Sequence, residues 1–75
     1  MTAFEQLDEL YRTTISKLPK ADRLSYCNQK LDKVQYILEK NKDILDEHQK
    51  MHLRQMIKAA QDEIMIVNNH ILFLK

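Results

Sequence analysis

No glycine occurs anywhere in this chain of 75 residues, and its only proline is Pro19. At average usage about nine residues of these two kinds would be expected in such a length. Glycine supplies the positive φ angles of tight hairpin turns and lets a backbone close around phosphate groups. Composition alone therefore argues strongly against a β-rich fold, a Walker loop and a dinucleotide fingerprint. An all-α protein remains.

The length allows one domain, residues 1–75, with a small core. Ordering each residue costs about 1.5 kcal/mol, which apolar burial at this size offsets narrowly, so a partner chain or an oligomer is expected. The formal net charge of +1 exerts no general pull on nucleic acid or on an anionic membrane, and neither is expected as a partner. A lone cysteine, Cys27, cannot form an internal disulfide and points to a reducing compartment. Phe4 and Leu7 are followed by Asp8 and Glu9 rather than by the apolar centre of a signal peptide, and no run approaches the roughly 20 apolar residues of a membrane span. The expected location is the cytoplasm.

Three helical segments follow from periodicity. Thr2 and Glu5 have the spacing of a capping box, after which Phe4, Leu7, Tyr11, Thr14 and Leu18 recur on one face, widened by Leu10 and Ile15. Pro19 then predicts a kink or a break. From about Lys20 to Asn41, the residues Leu24, Cys27, Leu31, Val34 and Leu38 keep the 3-4 alternation of a heptad seam. Asn41 is read as a left-handed terminator. The third segment is predicted to begin near Asp43 as N-cap, with Leu53, Ile57, Ala60, Ile64, Val67, Ile71 and Leu74 as its seam. From Ile44 to Leu74 it would be about 46 Å long. The short connection favours an antiparallel helical hairpin. The first segment either packs on that hairpin or extends the second helix.

Sites of chemistry are sparse. His48 and His52, four apart with Asp46 and Glu47 nearby, have a spacing that can serve one metal ion, but no other Cys/His cluster lies close in sequence, and a solvated helix face is expected. Cys27 occupies a seam position and reads as a small buried hydrophobe. Residues 19–42 carry six basic and three acidic groups, yet Asp22, Asp32 and Glu39 intersperse the lysines, which argues against a nucleic-acid stripe. Without a glycine loop, a paired-carboxylate pocket or enough chain to enclose a substrate, neither catalysis nor a metal or cofactor is expected.

The C-terminal stretch is the least balanced. Ile64, Met65, Ile66, Val67, Ile71, Leu72, Phe73 and Leu74 are large and apolar, and a hairpin seam uses only half of them. Either the first segment folds back over the other flanks, or Met65, Ile66, Leu72 and Phe73 form an exposed protein interface; the interface is the reading adopted. Met56 joins this set because flexible thioethers suit adaptable surfaces, and Phe4, Leu7 and Tyr11 form a secondary set of candidate contacts.

The opening Met1-Thr2-Ala3-Phe4-Glu5-Gln6-Leu7 and the stretch Leu53-Arg54-Gln55-Met56-Ile57-Lys58-Ala59-Ala60-Gln61-Asp62-Glu63-Ile64-Met65-Ile66-Val67 resemble the small type III secretion co-chaperones of the YscE/EscE kind. The likeness covers the third segment best and the first loosely, and Pro19 departs from that family's uninterrupted first helix. The resemblance implies a cytoplasmic helical hairpin that pairs with a tetratricopeptide-like chaperone. Together the two would hold a needle subunit monomeric before export. A competing expectation from the residues is a self-associating regulator, in which two hairpins form a bundle that binds nucleic acid or a regulatory protein.

Overall fold

A computed structural model describes residues 1–69 and shows an all-α fold. Its elements are α1 (Ala3–Leu7), α2 (Glu9–Thr13), a 3-10 turn (Ile15–Lys17), α3 (Lys20–Lys40) and α4 (Glu47–Asn68). Helices α3 and α4 form the antiparallel hairpin, and residues 1–18 fold back on it as an arm. Of the two arrangements open to the first segment, it packs.

The arm differs from the single helix that its apolar spacing predicts. The expected capping box is present: the Glu5 amide donates to Thr2 Oγ1 at 3.2 Å, and the Thr2 amide donates to Glu5 Oε1 at 3.0 Å. Helix α1 nevertheless stops after five residues at Asp8, whose φ of −125° and ψ of 102° are extended. Asp8 closes α1 through its amide, 2.9 Å from the Phe4 carbonyl, and opens α2 by accepting the Tyr11 amide on Oδ1 at 3.0 Å. A short carboxylate competing for local amides ends one helix and begins the next. The chain turns again through the 3-10 segment before Pro19, so the break expected at the proline is present, and a second lies eleven residues earlier.

Helix α3 starts without a side-chain cap; the Pro19 carbonyl accepts the amides of Asp22 and Arg23 at 3.0 and 3.1 Å. It ends at Asn41, but by a different device from the one expected. Asn41 has φ of −118°, and no described residue has positive φ. Its amide and its side-chain Nδ2 both donate to the Ile37 carbonyl, at 3.1 and 3.0 Å. Helix α4 begins three residues later than predicted. Asp46, not Asp43, is the N-cap: it accepts the Gln49 amide at 2.7 Å, while Gln49 Oε1 accepts the Asp46 amide at 3.0 Å. Asp43 is followed three residues on by Asp46, whose side chain is too short for the return bond that Gln49 makes.

The core lies where arm and hairpin meet. Phe4, Tyr11, Cys27, Val34, Met56, Ala59, Ala60 and Val67 are buried, and Leu7, Ile15, Tyr26, Leu31, Leu53, Ile57 and Ile64 pack around most of them. Helix α4 therefore buries two stripes. Leu53, Ile57, Ala60, Ile64 and Val67 are the described part of the predicted hairpin seam, whose last members Ile71 and Leu74 lie outside the described residues. Met56, Ala59 and Glu63 form a second, on the side of the arm, where the small side chains of Ala59 and Ala60 let backbones approach closely. Phe4 and Tyr11 meet edge to face with ring centroids 4.7 Å apart, and Tyr26 lies 5.9 Å from Tyr11, a geometry that adds to their burial.

Candidate interaction surface

The arm is tied to the hairpin by buried polar bonds as well as by aromatic packing. The Tyr26 hydroxyl of α3 donates to Asp8 Oδ2 at 2.7 Å, and Lys30 Nζ lies 3.4 Å from the same oxygen. The Tyr11 hydroxyl of α2 donates to Glu63 Oε2 of α4 at 2.9 Å. Burial disfavours ionisation of Asp8, but the Tyr11 amide, the Tyr26 hydroxyl and the Lys30 ammonium outweigh it and hold the carboxyl below its ordinary range. Burial, reinforced by the carboxylates they serve, pushes the Tyr11 and Tyr26 hydroxyls upward. Glu63 is 5% exposed, and its Oε1 has no hydrogen-bond partner among the described residues.

This network was not read from the sequence, although a signal exists. Glu63 sits four residues after Ala59 and four before Val67, so it interrupts an apolar stripe, and a charged residue there needs a partner inside. Nothing local in the sequence identifies Tyr11, 52 residues away, as that partner.

These ties fix which face of α4 stays open. Beside α1, Ala3, Gln6 and Leu7 from the arm and Gln55, Lys58, Ala59 and Asp62 from α4 line a groove of about 280 Å³. Ala3, Leu7 and Ala59 supply its apolar part, and a Lys58–Asp62 ion pair of 3.5 Å spans one rim. One turn beyond Asp62 on the same helix come Met65, 61% exposed, and Ile66, 43% exposed. The i, i+3, i+4 progression places them in line with the groove.

The candidate contact residues thus separate. Met65 and Ile66 stand on the surface, and half-buried Leu7 borders the groove. Phe4, Tyr11 and Met56 are corrected: all three are inside the core, at 0, 1 and 7% exposure, Phe4 and Tyr11 because the arm folds its aromatic face inward and Met56 because α4 packs it in the same cluster. They act on the surface only by positioning the arm. Leu72 and Phe73 lie outside the described residues. Leu10, expected to widen the buried face of the first segment, is 53% exposed.

Cys27 is fully buried, and burial, helped by the Glu63 and Asp8 carboxylates, pushes its thiol up to about 11, the environment of a packing residue and not of a nucleophile. His48 and His52 are exposed on α4 and, with Ile37, Leu45, Gln49 and Leu53, line a hollow of about 360 Å³ at the hairpin turn. No group of three or more metal-ligating side chains occurs among the described residues. No described helix is long and apolar enough to cross a membrane.

Fold and surface together define a helical hairpin braced by an N-terminal arm, with a groove and an apolar step on one face of α4. Comparison with known proteins returned no matching family model, no similar curated protein and no similar solved structure.

Proposed function

We infer that this chain is a small cytoplasmic adaptor or co-chaperone. It pairs with a helical-repeat chaperone, stabilises it and helps to keep a type III secretion needle subunit monomeric before export. The observation that carries the reading is the exposed pair Met65 and Ile66, aligned with the groove beside Leu7 and Ala59. Large apolar side chains that continue a groove on so small a domain suit the packing of a partner helix. The resemblance of residues 53–67 to the co-chaperone family supplies the kind of partner. The action is mechanical: by binding only the folded partner, the adaptor shifts that partner's folding equilibrium through mass action.

Co-expression with the tetratricopeptide-like chaperone of a needle subunit tests this. The expected result is a complex that co-migrates in gel filtration, weakened at least about tenfold by Ile66→Asp (about 1.4 kcal/mol) while the circular dichroism of the variant chain stays helical. Separate migration of the two proteins at about 100 µM each, a concentration that would reveal even a modest complex, overturns the reading.

A further inference from the structure

Helix α3 carries a second ordered face, opposite the core, that neither the hairpin nor the arm uses. Asp32, Lys33, Tyr36, Glu39 and Lys40 are all exposed. The four charged residues make no ion pair among the described residues. Tyr36 is 61% exposed, with Lys40 Nζ 5.8 Å from its ring centroid. Read linearly, acids and lysines alternate. Wrapped at 3.6 residues per turn they separate: Asp32 and Glu39 fall about 40–60° to one side of Tyr36, and Lys33 and Lys40 about 40–60° to the other. Each pair is seven residues apart, about 10.5 Å along the axis. Tyr36 is therefore the centre of a strip with an acidic edge and a basic edge of equal length, a ladder in the manner of e and g positions in a coiled coil.

Such a strip complements itself in one orientation only. Two copies of α3 related by a two-fold axis parallel to the helices present the basic edge of each to the acidic edge of the other, with Lys33 level with Asp32 and Lys40 level with Glu39. An antiparallel two-fold would set lysines against lysines. We propose that a second copy of this chain docks here, α3 against α3 in parallel, with Tyr36 at the centre and two ladders of Lys33–Asp32 and Lys40–Glu39 pairs at the edges. The contact is small and mostly polar, so the dimer is weak, sensitive to salt and compatible with occupation of the α4 face by another protein. It is independent of the proposed function, because it needs the isolated chain alone.

Sedimentation of the full chain up to about 1 mM, the weak end of measurable association, tests the proposal. Wild type should show a monomer–dimer equilibrium that shifts toward monomer by several-fold in high salt and on Tyr36→Ala. The double variants Lys33→Glu/Lys40→Glu, acidic on both edges, and Asp32→Lys/Glu39→Lys, basic on both, should each be monomeric. Their equimolar mixture should form a heterodimer at least as tight as wild type. A control variant with Arg54→Glu and Lys58→Glu on α4, which keeps the α3 strip, should dimerise with itself like wild type and form no heterodimer with the basic variant. Wild type that remains monomeric throughout, double variants that dimerise like wild type, or a control that forms a heterodimer with the basic variant as tight as the matched one would overturn the proposal.

Discussion

At the scale of single residues, the polar atoms inside the core set the tolerance of the fold. Among the described residues Glu63 has one donor, the Tyr11 hydroxyl, for two buried oxygens. Removing that donor leaves a carboxylate with none, whereas removing both partners removes the problem. Tyr11→Phe is expected to destabilise the chain by about 1–3 kcal/mol in urea unfolding. Tyr11→Phe combined with Glu63→Met should recover most of that loss, and a double variant less stable than Tyr11→Phe alone would refute the account. Cys27 shows the other kind of buried residue, one whose role is legible at once. Its seam position between Leu24 and Leu31 predicts a small hydrophobe, and full burial agrees. Phe4 and Tyr11 were equally legible as one face of a helix. Which side that face meets is a tertiary fact, and periodicity alone does not contain it.

At the scale of elements, the long helices follow from local rules, and the exceptions lie at their ends. Among the described residues, the seams of α3 and α4 appear as their 3-4 spacing predicts. The start of α4 depends on a two-residue exchange of bonds that a single acidic residue cannot signal. Asp43 and Asp46 are equivalent in propensity, and Gln49 decides between them. Accordingly, Asp46→Ala should cost about 1 kcal/mol, while Asp43→Ala should change stability by less than about 0.5 kcal/mol. Thermal unfolding of the two variants checks the order. The arm is the opposite case. Its apolar positions read as one helix, but Asp8 obtains more from α3 than helix continuity would give: the Tyr26 hydroxyl and the Lys30 ammonium both reach it. Distant partners outweighed the local pattern, and only residues far along the chain could have revealed the split.

At the scale of the molecule, these ties make stability depend on pH at both extremes. The Asp8 pKa is depressed from the usual 3.8. Its contribution is therefore complete above that value and is lost as pH falls through the lower folded one. Tyr26 is shifted the other way from 10.0, so its contribution is complete below pH 10.0 and declines as pH rises beyond it. Urea midpoints of the wild type should fall on the acid side below about pH 4 and on the alkaline side above about pH 10. Asp8→Asn should flatten the acid limb most, and Tyr26→Phe should soften the alkaline limb, which the raised Tyr11 and Cys27 groups share; an unchanged acid limb in Asp8→Asn would show that other groups control it. The bond between Tyr11 and Glu63 also has a temporal meaning, since 52 residues separate its ends. During synthesis the arm emerges first and its docking site on α4 much later, so Phe4 and Tyr11 wait uncovered while α3 and the turn are made. Closure of the core is thus a late, long-range event in a protein whose helices are otherwise local. In that interval the nascent arm is open to whatever chaperone stands at the ribosome.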